Sequence, residues 1–247
     1  MRNIKLVIEY DGSAFHGWQK QSNTSETIQQ ILEEKISIIT QEKTKLMSSG
    51  RTDAGVHAVN QVANFKTSSA IPTGNLMLGI NSLLPQDIVI KSVEDVDLEF
   101  HSRYSAKSKV YFYQILNRRA RAGLYRNYSW HIRDRLNIET MQEAASFILG
   151  QHDFSSFCAA NSDTEGTERE VIDLGFQRCP DDFIRFTIEA TGFLKYMVRN
   201  IVGTLVYVGR GKFTPADFKK ILDAKDRTQA GPTAPAQGLF LKEVKYF

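Results

Sequence analysis

Cysteine is nearly missing from this 247-residue chain: there are two, Cys158 and Cys179. Neither stands in a Cys-x-x-Cys pair or beside a histidine at metal-ligand spacing, which argues against a disulfide framework and against a structural zinc. So few thiols fit a reducing, cytoplasmic compartment. Long apolar runs are also missing. The longest, residues 193–208, is interrupted by Lys195, Arg199 and Asn200 and is shorter than the ~20 residues that span a bilayer, so no membrane segment is expected. Met1-Arg2-Asn3-Ile4-Lys5 lacks the apolar core of a secretory leader and enters a strand pattern at once. There is no dinucleotide fingerprint. Gly211-Lys212 suggests a phosphate-binding loop of the Walker type, but Val206 stands where that motif's first glycine belongs. Low-complexity segments, long linkers and close-period repeats do not occur.

The length suits one or two domains, at ~100–200 residues each, and allows a core that needs no staples. Net charge is only +3, but the charge is unevenly placed. Between residues 101 and 135 stand Arg103, Lys107, Lys109, Arg118, Arg119, Arg121, Arg126, Arg133 and Arg135, against one acid, Asp134. The same stretch carries Tyr104, Tyr111, Phe112, Tyr113, Tyr125, Tyr128 and Trp130. Cations interleaved with flat rings suit a polyanion that also offers bases. A solvated charged face over a core-facing aromatic row has the same composition.

Hydrophobic periodicity divides the chain into elements. Ile4, Leu6, Ile8 and Tyr10 alternate as a strand. Capping side chains at residues 23–25 precede a helix with Ile28, Ile31, Leu32, Ile36 and Ile39 on one stripe. Residues 59–66 and 88–96 read as strands, and residues 76–84 as a helix stopped by Pro85. In the second half, residues 109–116 form an aromatic strand. Asn137 caps a helix bearing Ile138, Met141, Ala145, Ile148 and Leu149, ended by Gly150. Residues 171–178 and 183–190 pair across Pro180-Asp181-Asp182. Residues 193–208 are apolar on nearly all sides, as in a buried helix. Thr214-Pro215-Ala216-Asp217 starts another helix, and residues 239–247 close the chain as a strand. The mixture lacks strict βαβ alternation and favours α+β with a largely antiparallel sheet. The change in charge near residue 103 suggests halves at 1–103 and 104–247.

The segment richest in chemistry is Gly50-Arg51-Thr52-Asp53-Ala54-Gly55-Val56-His57-Ala58. Glycines permit positive φ or close approach to a ligand, and a carboxylate on such a turn can project into a cleft. An Asx turn, in which Asp53 only bonds nearby amides, is the commoner use of Asp-Ala-Gly. His57 receives no chemical role, and Cys158 with His152 lacks the third member that a thiol nucleophile needs.

Residues 50–58 resemble the active-site signature of the tRNA pseudouridine synthase A family. Tyr10-Asp11-Gly12, Phe15 and Gly17-Trp18-Gln19 resemble that family's opening, and residues 100–113 its central strand. His152-Asp153-Phe154-Ser155-Ser156-Phe157 resembles its second-half loop, and Gly192-Phe193-Leu194 with residues 197–203 its buried helix. Residues 230–239 resemble its C-terminal motif. The matches stand in the family's order over essentially the whole chain. Phe112 and Lys195-Tyr196 depart from the usual residues, which bears on RNA contact and not on the reaction.

The resemblance implies the α+β pseudouridine synthase fold, with two similar halves sharing a mixed or antiparallel sheet around a central catalytic cleft. It implies isomerisation of uridine to pseudouridine at positions 38, 39 and 40 of the tRNA anticodon stem-loop, by a cytoplasmic homodimer without cofactor or metal. Asp53 then matches the catalytic aspartate, and Arg199 the residue that pairs with it. An opposite charge lowers an aspartate pKa by ~1–3 units and offsets desolvation. Tyr111 matches the active-site tyrosine, although Tyr113 lies on the same face. Leu239 matches an apolar wall of the base pocket. Arg51 is expected to touch the RNA backbone or fill the space left by a flipped base.

Overall fold

The alternating N-terminal residues form β1 (Arg2–Tyr10) in the computed structural model, which describes residues 1–159 and 166–247. Ile4, Leu6, Ile8 and Tyr10 are all buried, as side chains at period two on one strand face should be. Ten strands and five α-helices make up the described residues, and the fold is α+β. The chain divides into two compact units: Met1–Lys107 with Phe240–Phe247, and Ser108–Leu239.

In the first unit β1 runs antiparallel to β3 (His57–Thr67) on one side and β4 (Ile88–Val96) on the other. The two-residue β2 (Met47–Ser48) adds to β3. The returning strand β10 (Leu239–Lys245) lies parallel to β3, with Phe240 opposite His57 and Leu241 opposite Ala58. Helix α1 (Ile28–Thr40) buries Ile28, Leu32 and Ile36 at helical spacing. Its expected cap at residues 23–25 is not used. The N-cap is Thr27, and the Ile28 and Gln29 amides donate instead to the Gly17 and Trp18 carbonyls. Tertiary backbone thus satisfies amides that a side chain would otherwise cap. Helix α2 (Thr73–Leu83) packs on β4 and stops before Pro85.

In the second unit β5 (Ser108–Asn117) pairs antiparallel with β9 (Phe183–Ala190), β9 with β8 (Glu168–Cys179), and β8 with β7 (Gly150–Asp153). The short β6 (Trp130–Ile132) joins β5 in parallel. The Asn137 side chain caps α3 (Ile138–Ser146) by accepting from the Thr140 amide. That helix ends before Leu149, contrary to its periodicity: the amides of residues 147–149 reach back only three residues, and Gly150, at φ +87°, opens β7 instead. Helix α4 (Met197–Gly209) is buried on nearly every side. It starts at Met197 and not at residue 193, because Tyr196 adopts a left-handed φ of 65°. Helix α5 (Pro215–Ala224) begins with a complete capping box between Thr214 and Asp217. No helix among the described residues is long and apolar enough to cross a membrane.

Candidate active site

Asp53 sits half-buried on the loop between β2 and β3. Its backbone carbonyl accepts from the Val56 amide at 3.1 Å, closing a four-residue turn whose third residue, Gly55, has φ +77°. Such a turn requires that left-handed value, which explains the glycine. The loop is then held from several directions. The Thr52 hydroxyl and the Tyr10 hydroxyl lie 2.7 Å apart in the core. The Trp18 amide donates to the Thr52 carbonyl at 3.0 Å. The Gln61 side-chain amide donates to the Gly50 carbonyl at 3.0 Å, and its oxygen accepts from Ser49 at 2.6 Å. Gly17 comes so close that a Cβ there would lie 2.8 Å from the Thr52 oxygen. A Cβ at Gly12 would overlap the Val56 carbonyl. Tyr10-Asp11-Gly12 and Gly17-Trp18 therefore form the bed on which the aspartate loop rests.

Burial pushes the Tyr10 phenol up to about 12, against opposing hydrogen bonds from Thr52 and Gln61. It is a neutral hydroxyl at any physiological pH and serves as a brace. His57 is 2% exposed and accepts at Nδ1 from the Gly12 amide at 3.0 Å. Asp11 Oδ1 stands 3.1 Å from the same nitrogen, and the ring stacks on Phe240. These contacts give His57 structural work. Arg51 is exposed on the same loop.

The second unit holds Tyr111, Arg199 and Leu239. Tyr111 lies on β5 opposite Ile188, is 7% exposed, and meets the Phe193 ring edge-on at 4.9 Å. Tyr113, two residues on, has a different task. It is fully buried, its hydroxyl donates to the Pro235 carbonyl at 2.8 Å, and a Cβ at Gly238 would lie 2.5 Å from its ring. Burial drives the Tyr113 phenol far above its ordinary range, and the positive charge of Arg199 pulls it partly back.

Arg199 lies half-buried in the first turn of α4. Its Nε donates to the Ala234 carbonyl at 2.8 Å, its guanidinium lies over the Tyr196 ring at 4.8 Å, and its own carbonyl accepts from the Ala234 amide. The next residue, Asn200, is fully buried. Its amide donates to the Phe157 carbonyl at 2.8 Å, and its oxygen accepts from Thr233 at 2.6 Å and Arg227 at 3.1 Å. The segment after Ala230 is thereby tied across α4. Leu239, 6% exposed, begins β10 at the end of that segment.

Sequence reasoning missed Tyr10, Trp18 and Gln61 as braces of the aspartate loop, and Asn200, Arg227 and Thr233 as braces of the segment beside Arg199. Asn200 carried a usable signal, since a polar residue inside a largely apolar, buried helix must find partners. Tyr10 carried none, because a strand tyrosine pointing inward reads as core. Among the described residues no group of three or more His, Cys, Asp or Glu could hold a metal ion.

Comparison with known proteins agrees with the motif order. A family described as tRNA pseudouridine synthase matches residues 6–105 and 144–247. The chain is 51% identical over 246 residues to the tRNA pseudouridine synthase A of Thermoanaerobacter sp. (strain X514), covering 100% of both chains. It is 47% identical to the tRNA pseudouridine synthase A of Acetivibrio thermocellus, again over 100% of both. It is 46% identical to the tRNA pseudouridine synthase A 2 of Clostridium perfringens, with the same coverage. Tyr111 falls between the two matched segments; Asp53, Arg199 and Leu239 fall within them.

Proposed function

The chain belongs to the tRNA pseudouridine synthase family, and on that basis we propose that it isomerises uridines 38, 39 and 40 in the tRNA anticodon stem-loop, with Asp53 as catalytic carboxylate. The bond from uracil N1 to the ribose C1′ breaks, the base turns, and C5 bonds to C1′. A proton leaves C5 and another is taken up at N1. Nothing is oxidised or reduced, so the scheme needs no redox cofactor.

Asp53 is suited to its part because a carboxylate can stabilise or capture an electron-poor carbon and later leave. By the family resemblance Arg199 pairs with it and keeps it ionised. Tyr111 stacks on the uracil and assists removal of the C5 proton, Leu239 closes the pocket on its apolar side, and Arg51 holds RNA from which the base has been extruded. Extruding a base from a stem costs a few kcal/mol, roughly, which backbone contacts can offset. The family resemblance further supports a homodimer working in the cytoplasm.

The observation that carries the proposal is the bracing of the Asp53 loop. Its neighbours Gly50 and Thr52 are hydrogen-bonded by three separate elements, the β1 end, the Gly17-Trp18 segment and β3. A catalytic group must be held within a fraction of an ångström, whereas a solvated surface turn needs no such support. Tritium release from tRNA labelled at C5 of uridine tests it. The unaltered protein is expected to release tritium and Asp53→Asn to release none, while the variant binds tRNA with an affinity near that of the parent. Turnover by Asp53→Asn would overturn the assignment.

A further inference from the structure

In the second unit a hollow of about 430 Å³ is lined by Asn117, Arg118, Arg119, Arg133, Asp134 and Arg135. That is many times the roughly 30 Å³ of one water molecule. These residues lie in the stretch that the family match leaves out, and the proposed chemistry assigns them no role. A run of arginines is ordinarily a solvated face. Here the backbone beneath the run is fixed. The Asn117 side-chain amide donates to the Ile132 carbonyl at 3.0 Å and the Asp134 carbonyl at 2.7 Å, and its oxygen accepts from the Leu136 amide at 3.2 Å. His131 Nε2 lies 2.8 Å from the Arg118 carbonyl. One asparagine thus staples the chain leaving β6 to the end of β5, setting Arg118 and Arg119 across the hollow from Arg133 and Arg135.

The charge is left unbalanced. Asp134, the only acid on the rim, is paired with Arg210 at 3.1 Å. Arg119, Arg133 and Arg135 are exposed and enter no ion pair among the described residues. Like charges held together on a fixed scaffold repel one another unless an anion sits between them. The planar fork of arginine matches phosphate oxygens two at a time.

We infer that this hollow is a docking site for the RNA phosphodiester backbone, with Arg119, Arg133 and Arg135 as its cations. The inference rests on tRNA being the substrate. It adds a contact that recognises phosphate spacing and takes no part in the chemistry.

The test is tRNA binding by the full-length protein at several salt concentrations. Each neutralised phosphate adds about 0.9 to the slope of log affinity against log salt on duplex regions. Arg119→Gln/Arg133→Gln/Arg135→Gln is expected to weaken binding at least tenfold and to flatten that slope by roughly 2 to 3. KM for tRNA should rise in step with Kd, and the melting temperature should stay at that of the parent. The lysine version of the triple variant should recover much of the binding. Lys43→Gln/Lys45→Gln/Lys66→Gln removes the same charge from exposed positions of the other unit and serves as control. An unchanged slope in the arginine variant, or an equal loss in the lysine control, would overturn the site. Binding is read directly, so the outcome does not depend on whether Asp53 carries the chemistry.

Discussion

Tyr111 and Tyr113 have the same type, strand and sheet face, and opposite fates. The Tyr113 hydroxyl is committed to the Pro235 carbonyl, and its ring is wedged against Gly238. A phenol so held cannot also reach a substrate. Tyr113→Phe should therefore behave as a stability variant. It leaves the partly buried Pro235 carbonyl short of a donor, at about 1 kcal/mol, or roughly 2–4 °C of melting temperature for a chain this size, with kcat retained. Tyr111→Phe should act on turnover: proton transfer by a positioned side chain is worth roughly 10²–10⁴ in rate, so kcat should fall by about that factor. Steady-state kinetics and a melting curve on both variants decide it. An equal fall in kcat for both would mean that the two positions are not divided in this way. The motif order singled out Tyr111, but the reason Tyr113 is unsuitable lies in residues 235 and 238, far along the chain.

At the level of elements, the longer strands and helices were legible because their apolar residues repeat at period two or 3.6. β2, β6 and β7 were not. They are two to four residues long, too short to show a period, and exist only because a neighbouring strand offers hydrogen bonds. Helix starts failed where another segment decided them, as at Thr27, or where one residue turned left-handed, as at Tyr196. The crossing of the C-terminal segment over α4 is the tightest such dependence. A Cβ at Gly203 would overlap the Pro232 carbonyl, and one at Gly231 would lie 2.8 Å from the Thr204 backbone. Gly203→Ala is therefore expected to displace the segment bearing Ala234, which accepts from Arg199. Soluble Gly203→Ala protein with parental melting and parental kcat would contradict this.

A second element-scale prediction concerns acid. Asp153, at the end of β7, is partly buried, which raises its pKa. Hydrogen bonds from Ser155 and Thr167 and the Lys225 ammonium at 3.1 Å outweigh that and hold the carboxyl well below its usual range. A depressed native pKa adds stability that is complete above the ordinary aspartate value of about 3.9 and is lost as pH falls below it. Asp153→Asn should be less stable than the parent at pH 7, and the gap should narrow below about pH 4. Denaturation followed at both pH values tests this; a gap independent of pH would show that the carboxylate charge contributes nothing.

For the whole molecule, the proposed homodimer predicts sedimentation at twice the chain mass at micromolar concentration. A single species of one chain mass at that concentration would count against it. Charge operates at this scale as well. The chain as a whole is close to neutral, so attraction to a polyanion depends on cations gathered in one place rather than on the total.

The amino-acid sequence by itself determined the main strands and helices, the α+β class and, through motifs standing in order, the family. Each of these is written within a few consecutive residues, as a period, a turn or a short signature. Only the tertiary structure decided that Tyr10 and Trp18 brace the Asp53 loop, that Asn200 anchors Thr233 and Arg227, and that the last strand returns to the first unit. It also decided that one asparagine gathers arginines from two loops around a hollow. These depend on residues distant in sequence meeting in space, and burial then obliges every polar group at the meeting point to find a partner. That obligation acts on the folded chain, so no local window of sequence contains it.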